Sequence, residues 1–301
     1  MKFIIICLAM DSVAFDFCER VVFLCHRSMC SPHLQLSRSW NAAVKLCEQN
    51  LVRKSLHILL FSNGVLFAND RFGEEPIKPA DFMNITMKYL QFTEIDLMMG
   101  HGINDDAVSF DEAGDYYNIL GKFCNQVALS LWWGRLQTQQ QVVVARALDP
   151  LSYLPFYSLS VHGGGRLCAQ FITDVLENNQ LSNLRLSYVS SSQELLITSL
   201  QEAMRDGHLR FADLAQSRDV QFSRRFFVEF FGILEEIDAR GVDINLKFVV
   251  DFSPDELSHF HRELQTERTI FDDGIMTWKF GEMKIQIQKD VCTILKLSLP
   301  R

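Results

Sequence analysis

No run of lysine and arginine in this 301-residue chain is longer than a pair such as Arg53-Lys54 or Arg224-Arg225, and the formal net charge is −8. Binding to nucleic acid draws on concentrated positive charge that displaces counterions from phosphates, so this composition argues against such a ligand. None of the eight cysteines forms a C-x-x-C pair, and structural zinc is normally built from paired ligands at short, fixed spacing. Proline and glycine are scarce, at 7 and 15 residues. With 48% hydrophobic residues, that excludes a long disordered tail and predicts a folded chain with a sizeable core. The short acidic pairs Glu74-Glu75, Asp105-Asp106 and Asp272-Asp273 read as solvated loops. No P-loop, dinucleotide fingerprint or H-E-x-x-H occurs, and no cofactor is implied.

Several of the cysteines sit within apolar helical patterns (Cys18, Cys25, Cys47, Cys124), where a thiol acts as a small hydrophobe, and a reducing compartment is the better reading. The expected location is cytoplasmic or nuclear. A second reading starts from Lys2 and the apolar run Phe3 to Met10, which resembles a short signal core ahead of Ser12-Val13-Ala14. On that reading the protein is secreted and Asn84-Ile85-Thr86 becomes a usable glycosylation acceptor. Asp11 and the eight-residue length of the run weigh against it, and the run is far too short to span a bilayer. Met10 is an alternative start, which makes residues 1–9 an upstream extension.

The dominant feature is a repeat: an amphipathic helix, a polar or Gly/Asn stop, then a strand of the form apolar-x-apolar. The strand cores are Ile95-Asp96-Leu97, Leu129-Ser130-Leu131, Leu159-Ser160-Val161, Leu184-Arg185-Leu186, Leu209-Arg210-Phe211, Ile244-Asn245-Leu246 and Ile285-Gln286-Ile287. Steps of 25 to 41 residues between them predict stacked helix–strand units that present a surface more than they house one pocket. Leu167, Phe171, Ile172, Val175 and Leu176 form one helical stripe, and Phe226, Phe227, Phe230, Phe231, Leu234 and Ile237 the strongest. Gly207 and Gly241 stand where left-handed helix caps are wanted, and Ser253-Pro254-Asp255-Glu256 reads as a capping box opening a further helix. Trp132-Trp133 and the Phe-rich helix read as core, since large aromatic area favours burial.

Upstream, Ala14, Cys18, Val21, Val22 and Cys25, then Trp40, Ala43, Val44, Cys47 and Leu51, predict two helices within residues 11–52, separated at Ser31-Pro32. Ser62-Asn63-Gly64 predicts a hairpin, and residues 70–81 a linker. The tail segments Met276–Phe280, Met283–Ile287 and Thr293–Leu297 predict an antiparallel meander that closes the sheet edge.

Three clusters invite a chemical reading. His162-Gly163-Gly164-Gly165 matches the oxyanion loop of lipases and esterases, yet no G-x-S-x-G elbow accompanies it, so a turn is the simpler expectation. Cys25, His26, Cys30 and His33 crowd one loop without the spacing of a metal site. His259 and His261 point about 200° apart on a helix and cannot share an ion. No metal site is expected.

The stretch Met10 to Val22, the helix carrying Leu36-Ser37-Arg38-Ser39-Trp40, the strand entry Arg53 to Ile58, and the hairpin Trp278-Lys279-Phe280-Gly281-Glu282 resemble the expanded nematode F-box-like proteins of unknown function. Ala14 stands where an F-box has proline. The resemblance implies an F-box-like helical segment over residues 10–53 and an irregular leucine-rich-repeat-like α/β solenoid over 54–301, ending in the β-meander. It implies a non-enzymatic substrate receptor of a cullin-type ubiquitin ligase, with a Skp-type adaptor as partner and an unidentified protein as target. Val13, Phe17, Val21 and Trp40 are then the adaptor contacts. Asp96, Ser130, Ser160, Arg185, Arg210 and Asn245, the middle residues of the strand triplets, are the target surface, because they point away from their buried neighbours. Two alternatives stand beside this: a helical cap that no longer binds an adaptor, and a secreted or endomembrane α/β hydrolase-like protein using His162 and its glycines.

Overall fold

The computed structural model describes residues 15–24, 38–50, 52–68, 90–133, 136–178, 181–189, 194–239, 243–252, 268–272, 275–280, 283–288 and 291–296. The first helices are α1 (Phe15–Leu24) and α2 (Arg38–Asn50), followed by the hairpin β1 (Val52–Phe61) and β2 (Gly64–Ala68). Then come β3 (Leu90–Met99), α3 (Phe110–Phe123), β4 (Cys124–Trp132), α4 (Thr138–Leu151), β5 (Phe156–His162), α5 (Gly165–Asn178), β6 (Asn183–Ser187), α6 (Glu194–Arg205) and β7 (Phe211–Gln216). The short β8 (Gln221–Phe222), α7 (Arg224–Ala239) and β9 (Ile244–Val250) lead to β10 (Arg268–Asp272), β11 (Ile275–Phe280), β12 (Met283–Gln288) and β13 (Val291–Lys296). The helix expected from Ser253 and the linker at 70–81 lie outside the described residues, as does Gly241. No described helix is long and apolar enough to cross a membrane.

The architecture is mixed α/β around one open sheet of order β10-β11-β12-β13-β9-β7-β6-β5-β4-β3-β1-β2. Strands β1, β3, β4, β5, β6, β7 and β9 run parallel in chain order. The tail pairs antiparallel, as expected of a meander, and adds β10 at the outer edge. Ile285-Gln286-Ile287 therefore belongs to the meander (β12) and is not a further helix–strand step. A parallel connection is almost always right-handed, so strands added in unbroken order send their helices to one face. Consecutive helices accordingly pack on one another from α3 through α7.

Period-two alternation explains which side the helices cover. Ile95 and Leu97, Leu129 and Leu131, Leu159 and Val161, Leu184 and Leu186, Ala212 and Leu214, and Leu246 and Phe248 are all buried in one core. The helices contribute Leu120, Val144, Ile172, Leu200, Phe227 and Phe230 to the same core. Each such aliphatic side chain taken out of water stabilises the fold by about 1.5–3 kcal/mol before entropy is counted. The predicted Phe-rich stripe is buried at Phe226, Phe227, Phe230 and Leu234, with Phe226 and Phe230 stacked at 5.3 Å. Helix α3 begins at a capping box, Ser109 and Glu112 each accepting from the other's backbone N–H, worth about 1 kcal/mol. Gly207, at φ 72°, follows α6 as the expected cap. Helices α1 and α2 bury a separate small cluster of Cys18, Val22, Ala43 and Cys47, with Trp40 and Val44 half-buried against it.

Cys18, Cys47, Cys124, Cys168 and Cys292 are buried thiols. Burial pushes Cys124 and Cys168 up to about 12 and raises Cys18 and Cys292 as well. A thiol held so far above neutrality carries almost no thiolate, the reactive form. Iodoacetamide at pH 8 should therefore leave Cys124, Cys168 and Cys292 unmodified in the native protein and alkylate them in denaturant, as mapped by peptide mass spectrometry. Rapid native alkylation of these three would show that the core opens readily.

Candidate recognition surface

The strand residues that alternate with the core line up across the sheet. Register places His57, Asp96, Ser130, Ser160, Arg185, Asp213 and Lys247 in one continuous row. One step towards the strand starts lies Ser158, Asn183, Phe211 and Asn245. One step towards the strand ends lies Trp132, His162 and Ser187. Arg185, Lys247 and Asn245 are exposed, and Ser130, Ser160 and Asp213 are half-buried. From β4 to β9 this face is therefore open, while its opposite carries the helices. A concavity of about 550 Å³ lies on it, lined by Ser160, Arg185, Asp213 and Lys247 with Phe211 and Asn245 beside them.

Of the six residues expected on this surface, Ser130, Ser160 and Arg185 share the row, and Asn245 sits on the same face one step away. Asp96 holds its place in register but is buried at 7% exposure, its Oδ2 3.2 Å from Nδ1 of the equally buried His57. The two groups are close enough for an ion pair if the imidazole is protonated, although Nδ1 is not aligned for a hydrogen bond. Arg210 precedes β7 instead of lying in it, because the strand starts at Phe211. The triplet Leu209-Arg210-Phe211 was thus set out of register by three residues: the aligned core is Ala212-Asp213-Leu214, with Phe211 turned to the open side at 41% exposure. The consequence is that Asp213 and Lys247 occupy the row where Arg210 and Asn245 were expected.

At the strand ends, Trp132, His162 and Tyr188 form an aromatic ladder, with ring centroids 5.5 Å apart for Trp132–His162 and 5.2 Å for His162–Tyr188. Trp132 is 48% exposed and Tyr188 64%, while Trp133 is buried. The tandem tryptophans therefore divide between the two faces, and the expectation that both are core holds for Trp133 alone. Consecutive strand residues point to opposite sides, so the alternation running on from Ser130 through Trp132, and from Ser160 through His162, was the signal available for this ladder. Tyr188 has φ 58°, the one positive value at a non-glycine among the described residues. Such backbone costs on the order of 1–2 kcal/mol and persists when neighbours hold it. Here Tyr188 N–H donates to Gln216 O at 3.3 Å, and the next residue, Val189, donates to Ser217 Oγ at 3.2 Å.

Gly163, Gly164 and Gly165 follow His162 at φ 84°, 99° and 61°. They form the tight left-handed turn that takes the chain from β5 into α5. A Cβ on Gly164 would stand 2.2 Å from Cys168 Sγ and 2.9 Å from Trp133 Cδ1. Close packing thus accounts for the middle glycine, and His162 is engaged by two aromatic rings.

At the N-terminal helices, Phe17 is 52% exposed and meets Trp40 edge-on at 6.4 Å. Val21 is half-buried. Val13 lies outside the described residues, as do the Cys25–His33 cluster and the His259–His261 pair. Among the described residues, no three His, Cys, Asp or Glu side chains gather as metal ligands. No family model, curated protein or solved structure matches the chain.

Proposed function

We propose that this protein is a non-enzymatic interaction module, a substrate receptor that hands a protein target to a cullin-type ubiquitin ligase. On this reading the body is an irregular leucine-rich-repeat-like solenoid, and residues 10–53 form an F-box-like cap that docks a Skp-type adaptor. The target meets the open sheet face. The observation that carries the reading is this face: parallel strands in unbroken order leave it without helices from β4 to β9, and it offers aromatic, hydroxyl, amide and charged groups together. Tyr, Trp and Arg are the side chains that most often dominate protein interfaces. The adaptor half is supported by Phe17, an aromatic left half out of the small α1–α2 core.

The test is co-purification of the full chain with a Skp-type adaptor. Because Phe17 is half exposed and meets Trp40 edge-on, Phe17→Asp should cost about 1 kcal/mol and leave the chain folded, as melting will show. The same substitution should reduce adaptor recovery at least tenfold. Equal recovery from wild type and Phe17→Asp, or no recovery from either, would leave residues 10–53 as a cap and sink the ligase role.

A further inference from the structure

Charge on this molecule is segregated by face. Among the described side chains, helices α3 to α7 carry eight Asp and Glu against four Lys and Arg. On the open face from β4 to β9 the aligned charges are Arg185, Asp213 and Lys247 alone, and the next described charge, across the meander, is the exposed Lys284. A chain of net charge −8 thus presents a cationic concavity. Among the described residues no ion pair joins Arg185, Asp213 and Lys247, so the two cations are not already neutralised across the row. Asp213 Oδ1 instead accepts from the Ala215 N–H at 3.4 Å.

We infer that this concavity binds an acidic segment of a protein partner in the polyproline-II conformation, with two carboxylates three residues apart. The inference rests on the recognition-face reading and adds the partner's chemistry. Arg185 and Lys247 occupy the strands on either side of β7, which places them about 10 Å apart across two strand spacings. Three residues of a polyproline-II segment cover about 9 Å, and with three residues per turn positions i and i+3 return to the same side. A segment crossing the strands therefore sets one carboxylate on the Arg185 guanidinium, which can take it through two parallel N–H donors, and the second on the Lys247 ammonium. Asp213 sits between them and repels a carboxylate at the intervening positions, which selects neutral or basic residues there. The Trp132–His162–Tyr188 ladder, one step along the strands, offers an apolar seat for a flanking side chain. Two cations flanking an anion are too few for nucleic acid, which needs several neutralised phosphates.

The experiment is selection of a phage-displayed random 12-residue peptide library on the full-length protein. Selected peptides are then titrated by fluorescence polarisation against wild type, Arg185→Glu/Lys247→Glu and Trp132→Ala/Tyr188→Ala. Circular dichroism should be unchanged for both variants; melting should be unchanged for the exposed Arg185 and Lys247 and lowered by about 1 kcal/mol where the ladder rings leave His162. Enriched peptides should carry Asp or Glu at positions i and i+3, should bind more weakly as salt rises, and should lose at least tenfold affinity for the charge-reversed variant. Asp213→Ala should remove the discrimination against acidic residues between the two positions. Peptides without acidic bias that still weaken on Trp132→Ala/Tyr188→Ala overturn the inference and leave the recognition face standing. Peptides indifferent to both double variants, or no enriched peptide at all, overturn the inference and the face together.

Discussion

Gly164→Ala should destabilise the protein by about 3 kcal/mol or more in urea unfolding, since it combines an overpacked contact with a disfavoured backbone. At φ 99° the residue lies where an L side chain is strained whatever the space around it. The new methyl would also meet Cys168 Sγ at 2.2 Å and Trp133 Cδ1 at 2.9 Å. Neither neighbour can withdraw cheaply: Cys168 is buried on helix α5, and Trp133 is buried in the same core. Gly165→Ala is the internal comparison. It shares a positive φ of 61° but has nothing within 4 Å of its Cβ, so it should cost only about 1 kcal/mol. If the two substitutions cost the same, backbone strain alone explains the three glycines and the packing account fails. If Gly164→Ala is neutral, the turn is not built as described.

Asp96→Ala is expected to cost about 3 kcal/mol, in the range for removing one member of a buried charged or polar pair. It leaves His57 buried beside the space its carboxylate neighbour filled. The neighbouring Ser130→Ala and Ser160→Ala, in the same cross-strand row but half-exposed, should change stability by less than about 0.5 kcal/mol. A double-mutant cycle with His57→Leu and Asp96→Leu separates the pair from simple loss of volume. Replacing both groups by apolar ones should recover part of the loss, because no buried polar partner is then left behind. Additive single losses would show that the two side chains are neighbours without coupling. An Asp96→Ala variant as stable as Ser130→Ala would return Asp96 to the exposed surface on which the strand pattern alone had placed it.

That contrast between Asp96 and Ser130 shows how far the sequence could be read. Both are middle residues of apolar-x-apolar triplets, and alternation correctly turns both away from the helix-covered core. Alternation says nothing about exposure on the second face, where Asp96 is buried beside His57 and Ser130 is half-buried. At β7 the pattern failed for a different reason. Leu209 and Phe211 satisfy the apolar-x-apolar rule as well as Ala212 and Leu214 do, and a local rule cannot choose between two registers three residues apart. Pairing with β6 and β9 makes that choice, setting Asp213 between Arg185 and Lys247. The cross-strand row was legible at Ser130, Ser160 and Arg185 and displaced at its far end. The aromatic ladder is hidden in the sequence because Trp132 adjoins the core residue Trp133, and because Tyr188 lies 26 residues beyond His162 in the chain.

What the sequence by itself determined are the properties carried by near neighbours in the chain. The helical stripes, the Asn-Gly hairpin, the meander and the side of each strand that seeks a core all follow from 3.6- and two-residue periods. Only the tertiary structure decided which strands adjoin, and so which charges stand side by side, which tryptophan of a pair meets solvent, and which acidic side chain is taken out of water. Those outcomes depend on contacts between residues tens of positions apart, where hydrogen-bond register and packing choose among local patterns that the chain itself leaves equally satisfied.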